Sequence, residues 1–192
     1  MSRERVLISR ERIAQRVAEI GLEMSHQLAR EAEKFRAAGQ SAGPIVMVPV
    51  LTGALVFVSD LIRNMPVSMS IKPVTLSSYP GKSVTSQGVT VQSGVPTDLR
   101  GCRVVLVDDI LDSGQTLGLL RRMVMAQNVQ SLRTVVLLDK KKPSGRKEEV
   151  PIEFAGFEIE DEFVVGYGLD YDGLYRNVPD IVVLDEGATG VV

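Results

Sequence analysis

Apolar residues recur every three or four positions from Ile13 through Val17, Ile20, Met24, Leu28, Ala32 and Phe35, marking one buried face of a long helix. Ser9 stands where an N-cap hydroxyl would accept from first-turn amides, and Gly39 with the 40–43 stretch ends the element. The pattern then changes period. Ile45–Leu51 is an almost unbroken apolar run, which predicts a strand covered on both faces. A turn at Thr52-Gly53 leads to a short helix over 54–63, with Leu55, Val58, Leu61 and Ile62 inward. Val67, Met69 and Ile71 alternate, Val74 and Leu76 follow Pro73, and this predicts a strand nearer a sheet edge. A strand at 103–107, a helix over about 114–126 and a buried strand at 134–138 continue the alternation, and short strands at 163–167 and 181–184 finish it. Strands alternating with helices predict one α/β domain spanning 1–192, a twisted parallel sheet flanked by helices with a small appended lobe.

Residues 78–96 break this rhythm. Ser, Thr, Gly, Gln and Pro dominate, and the apolar residues are isolated valines. Long loops without a core of their own are uncommon unless they cover or bind something, so 78–95 is expected to be a mobile lid. Charge narrows the function further. With 22 Lys+Arg against 24 Asp+Glu the net charge is −2, and a chain that grips nucleic-acid backbone needs a basic face. The single cysteine, Cys102, cannot close an intramolecular disulfide and reads as a small buried residue. The start of the chain runs directly into charge, and its apolar stretches are too short to span a bilayer. A soluble cytoplasmic protein with no membrane or nucleic-acid partner is expected. His26, the lone histidine, lies beside the apolar face of the first helix and reads as structural.

The densest chemistry is the run Val104-Val105-Leu106-Val107-Asp108-Asp109-Ile110-Leu111-Asp112-Ser113-Gly114-Gln115-Thr116. A buried strand delivers two adjacent acids, then a third, then a hydroxyl–glycine turn that opens a helix. In an open parallel sheet, ligands gather beyond the carboxyl ends of the strands. Free amides, two hydroxyls and a helix N-terminus across Ser113, Gly114, Gln115 and Thr116 suit a phosphate, while acids suit hydroxyls or a metal. Together they suit a sugar phosphate. A nucleotide-hydrolase reading fails, because Gly81-Lys82-Ser83 has Leu76 where the phosphate loop needs glycine and no helix pattern after it. Six of the nine aromatic residues fall between Phe154 and Tyr175, where a flat base would find a face to stack on.

This acid-strand motif resembles the phosphoribosyl-diphosphate motif of type I phosphoribosyltransferases, and Asp112 places the resemblance in their 6-oxopurine, hypoxanthine-guanine branch. The run Phe163-Val164-Val165-Gly166-Tyr167-Gly168-Leu169-Asp170-Tyr171 followed by Arg176 is similar to that branch, as is Leu137-Leu138-Asp139-Lys140 before Pro143. The resemblance implies that family's fold, with a hood built from the N-terminal region and roughly 150–192, and a lid that starts at Ser78-Tyr79. It implies transfer of 5-phosphoribose from phosphoribosyl diphosphate to N9 of hypoxanthine or guanine, with magnesium. Asp112 would be the general base or acceptor at N7. Asp108 and Asp109 would bond the ribose hydroxyls or reach the metal, and Ser113, Gly114, Gln115 and Thr116 would wrap the 5′-phosphate. Lys140 would donate to the 6-oxo oxygen, with Phe163, Val164 and Asp170 completing the purine site. Leu51, Thr52, Gly53 and Arg176 would face the diphosphate, and Asp170 would hold magnesium. Lys141 and Lys142 read as a solvated loop. Many relatives carry Lys where Thr52 stands, and Gln115 replaces a residue that is often basic. A homodimer or homotetramer is implied. The alternatives are a phosphoribosyl-diphosphate-sensing regulator of the same fold that binds nucleic acid, and the same chemistry on xanthine or adenine.

Overall fold

The computed structural model describes residues 5–77, 90–91 and 94–184. Strand β1 (Arg5–Ile8) is followed by helix α1 (Arg10–Ala37), capped by the Ser9 hydroxyl, which accepts from the Arg12 amide at 3.5 Å. Strand β2 (Ile45–Leu51), helix α2 (Leu55–Arg63), β3 (Ser70–Ile71), β4 (Val74–Ser77) and β5 (Thr90–Val91) lead to the central strand β6 (Arg103–Leu111). Helix α3 (Gln115–Met125), β7 (Ser131–Lys140), β8 (Phe154–Ile159), β9 (Val164–Val165) and β10 (Ile181–Val183) complete the chain.

The main sheet runs β5-β4-β2-β6-β7-β8, with β3 also pairing β2. Strands β4, β2, β6, β7 and β8 are mutually parallel, and only β5 turns back, antiparallel to β4. Period-two alternation along β6 sends Val105 and Val107 into the core beneath α1 and α2, with Ile13, Met24 and Phe57. Val104 and Leu106 enter the opposite core with Leu120 and Val124 of α3. Covering both faces is why these strands read as continuous apolar runs. A second, antiparallel sheet, β1-β10-β9, joins the two ends of the chain. Among the described residues no helix is long and apolar enough to cross a membrane.

Several elements depart from expectation. Strand β6 runs on to Leu111 and β7 runs from Ser131 to Lys140, because ladder bonds persist past the apolar stretch: Asp108 pairs with Val136 and Leu111 with Asp139. Backbone pairing does not depend on side-chain polarity, so a hydropathy reading stops short. Strands β1 and β8 have no counterpart in the apolar pattern; Arg5 and Val6 are exposed and Glu158 interrupts β8. The strand expected to begin at Val67 is only Ser70–Ile71 before the bend into β4. Leu55, expected inward, is exposed, and Phe57 fills the core instead. The stretch through 96 expected to lack regular structure contains β5, and Val95 is buried in the core with Val48 and Leu99. The remainder of that stretch, including Ser78, Tyr79 and Lys82, lies outside the described residues.

Helices α1 and α2 meet where Gly21 faces the end of α2. A Cβ on Gly21 would sit 2.8 Å from the Asn64 carbonyl oxygen. Alanine gains about 1 kcal/mol of helix propensity over glycine, but overpacking against backbone costs about 1–3 kcal/mol. Gly21→Ala should therefore lower stability by about 1 kcal/mol, read as a reduced urea midpoint at constant slope; a raised midpoint would show that the helices separate freely.

Candidate active site

Strands β2 and β6 leave the sheet side by side, since Pro49 pairs with Val107 in parallel register. Their carboxyl ends therefore release the Leu51-Thr52-Gly53 turn beside the acidic end of β6. The Leu51–Thr52 peptide is cis. Contact across this gap is tight: a Cβ on Gly53 would collide with the Asp109 carboxylate, so only glycine lets the turn approach it. Past Leu111 the chain turns through Asp112 and Ser113 to Gly114, whose φ of +81° lets the chain enter α3 at once. The first-turn amides of α3, which have no partner within the helix, lie at this turn.

These parts enclose a cleft of about 500 Å³. The turn residues Leu51, Thr52 and Gly53 line one side; Asp108, Asp109 and Asp112 line the floor; Ser113, Gly114 and Thr116 line the helix end. Asp170 and Arg176 close it. Gln115 begins α3 but is not part of the lining. A smaller cavity of about 200 Å³ adjoins it and shares Asp109, Ile110, Asp112 and Asp170. Its other walls are Lys140, Glu162, Phe163, Val164 and Leu169. Phe163 is 50% exposed, its ring meeting Tyr171 edge-to-face at 5.5 Å, whereas Phe154 and Tyr167 are buried in the core.

Electrostatics divides the acids. Asp108 is buried, and burial followed by the adjacent Asp109 charge pushes its carboxyl well above the usual range. Burial also raises Asp109, opposed by its bond with Asp108, by backbone donors and by the Arg176 charge. The Asp109 amide donates to Asp108 at 3.0 Å and the Ile110 amide donates to Asp109 at 2.9 Å. Asp170 accepts from the Gly173 amide at 2.8 Å and pairs with Arg176 at 2.7 Å, while Arg176 also donates to the Gly168 carbonyl at 2.6 Å.

Among the described residues no three His, Cys, Asp or Glu side chains converge as a metal cage. Two adjacent, under-compensated carboxylates and a third held by arginine nevertheless fit magnesium, which commonly takes one or two carboxylates plus substrate oxygens. Lys140 is buried and ion-paired with Asp161 at 3.0 Å, and Arg146 donates to its carbonyl at 2.8 Å and pairs with Asp139. Lys141 is solvated as expected, meeting Glu158 at 3.1 Å on the surface. Lys142 corrects the expectation of a solvated loop: it is ion-paired with both Asp112 and Asp161 at 2.7 Å. Sequence reasoning missed Lys142, Asp161 and Arg146. Three lysines in a row carry no signal of which one turns inward. Ser78 and Tyr79 lie outside the described residues.

Comparison with known proteins finds clear relatives of the whole fold. Residues 22–172 match the family model described as a phosphoribosyl transferase domain. The chain is 39% identical over 181 residues to the hypoxanthine-guanine phosphoribosyltransferase of Bacillus subtilis, covering 94% of this chain and 93% of that one. It is 38% identical over 184 residues to the hypoxanthine phosphoribosyltransferase of Escherichia coli, covering 94% and 97%. The solved hypoxanthine phosphoribosyltransferase of Trypanosoma cruzi, in complex with the product IMP, superposes with a TM-score of 0.79 at 33% identity, covering 97% of this chain and 96% of that one.

The raised carboxyl of Asp108 has a consequence for stability. A carboxyl whose folded value lies above its unfolded value keeps its proton longer in the folded chain, so stability falls as pH climbs from the unfolded value of about 4 toward the folded one. Asp108→Asn should therefore raise the ligand-free melting temperature at pH 7–8, with the gain shrinking to nothing toward pH 4. An unchanged or lower melting temperature at pH 7.5 would mean that Asp108 is already compensated.

Proposed function

This chain belongs to the phosphoribosyltransferase family, and we propose that it salvages purines by moving 5-phosphoribose from phosphoribosyl diphosphate to N9 of hypoxanthine or guanine, releasing diphosphate and giving IMP or GMP. One observation carries the reading. The phosphate-suited cleft and the ring-faced cavity meet at Asp109 and Asp112, so a ribose seated in the first turns its C1′ toward a base held in the second. The named relatives are transferases acting on hypoxanthine or guanine, which favours catalysis over the nucleic-acid-binding regulator.

The roles follow from chemistry at each wall. Ser113, Gly114 and Thr116 offer hydroxyls and amides to the 5′-phosphate, with Gln115 contributing through its backbone position at the start of α3. Asp108 and Asp109 accept from the ribose 2′ and 3′ hydroxyls. Thr52 supplies no cation, so the Leu51-Thr52-Gly53 turn meets the diphosphate through backbone amides, and Arg176 supplies the charge. Magnesium, held by Asp170 and through Asp108 and Asp109, would neutralise charge on the departing diphosphate. Asp112 accepts the hydrogen bond or proton at purine N7 as N9 bonds to C1′. Lys140 donates to the 6-oxo oxygen; an amino group there would turn hydrogens toward an ammonium, which selects against adenine. Phe163 and Val164 cover the ring. The segment from Ser78 and Tyr79 onward is proposed to close over the reacting centre and exclude water. A cytoplasmic homodimer or homotetramer belongs to the same proposal.

A panel of hypoxanthine, guanine, xanthine, adenine and uracil with phosphoribosyl diphosphate and magnesium tests the activity directly. Nucleotide should form with hypoxanthine or guanine and not with adenine or uracil; product only with adenine or uracil would overturn the reading. Asp112→Asn should cut turnover by about 10²-fold or more with little change in apparent substrate affinity. Turnover at the wild-type level would remove Asp112 from the chemistry. Lys140→Ala should raise KM for hypoxanthine and guanine while sparing phosphoribosyl diphosphate, whereas equal losses for both substrates would assign Lys140 a structural part.

A further inference from the structure

Lys142 sits in the loop that leaves β7, two residues beyond the lysine of the purine site. Its Nζ lies 2.7 Å from Asp112 Oδ1 and 2.7 Å from Asp161 Oδ1. Lys140 Nζ lies 3.0 Å from the same Asp161 oxygen. A continuous chain of alternating charge, Lys140–Asp161–Lys142–Asp112, therefore joins the group facing the 6-oxo oxygen to the group facing N7. The Asp112 side chain is 49% exposed, and among the described residues Lys142 is the group that bonds it. A half-exposed carboxylate on a turn, left alone, samples several rotamers. Lys142, only 22% exposed and held between two carboxylates, restrains it through one oxygen and leaves the second for substrate.

We propose that Lys142 is a positioning residue for Asp112, and that Asp161 sets the spacing of the two lysines so that both edges of the purine are met at once. This role rests on the transferase reading above. Lys142 touches neither phosphate nor ribose in the arrangement described, so its loss acts on the chemical step rather than on binding. Lys141 is the internal comparison. It is the neighbour of Lys142, carries the same charge and pairs outward with Glu158 and Glu160.

Steady-state kinetics of Lys142→Ala, Lys142→Arg, Lys141→Ala and the Lys142→Ala/Asp112→Asn double variant test it, with melting temperatures to verify folding. Lys142→Ala should lower kcat about 10-fold while KM for hypoxanthine and phosphoribosyl diphosphate stays within about twofold. Lys142→Arg should recover most of the loss, and Lys141→Ala should behave as wild type. In the Asp112→Asn background, Lys142→Ala should cost less than about twofold, since the group it positions has lost its function. A wild-type kcat in Lys142→Ala, or the same 10-fold loss with Asp112 already replaced, would overturn the role. A wild-type enzyme that makes no nucleotide would overturn the transferase reading and this role with it; an active wild type beside an indifferent Lys142→Ala overturns this role alone.

Discussion

Strand β6 is hydrogen-bonded to a parallel neighbour on each side and packed against a separate core on each face. Such a strand has almost no freedom to shift, because any slip breaks two ladders and reverses which side chains enter which core. Three of the acids that line the cleft, Asp108, Asp109 and Asp112, stand at or just beyond its carboxyl end. Asp108 and Asp109 follow the five buried residues that open the strand, Asp108 itself buried and Asp109 half-buried, and Asp112 and Ser113 come within one turn. The glycine turn after β2 is tied to the same point by its contact with Asp109. The placement of Asp108 and Asp109 is therefore inherited from the sheet.

The same placement works against stability. A hydrophobic strand that ends in two neighbouring carboxylates, one of them fully inside, raises the free energy of the ligand-free fold. Hydroxyls or a cation reaching the pair would lower it again. A ligand bound there would couple to folding through these two side chains.

Much of this was legible in the chain. The 3.6-residue period of α1, the apolar runs of β2, β6 and β7, and the acid–glycine sequence after β6 each follow from local physics that tertiary context reinforces. What was not legible depended on partners distant in sequence. Strand β1 is a strand because β10 lies beside it, and its exposed Arg5 and Val6 carry no strand pattern of their own. Leu55 and Phe57 exchange places because the α2 face is chosen by what it packs on. Lys142 is indistinguishable from Lys141 by composition; only the path of the loop after β7 turns one toward Asp112 and the other toward Glu158.

The small antiparallel sheet joins residues from opposite ends of the chain: β1 pairs with β10, β10 with β9, and the Leu184 amide donates to the Phe163 carbonyl at 3.1 Å. The wall that carries Phe163 and Val164 is thus fastened by residues 183 and 184, and β10 pairs in turn with β1 at Arg5. A ribosome delivers the chain in one direction, so the acidic end of β6 and the two glycine turns beside it are made before Lys140, Phe163, Asp170 and Arg176, which complete the two cavities. The two walls of the candidate site are of different ages in every newly made molecule, and β1, made among the first elements, waits for β10, made last, before it has a strand to pair with.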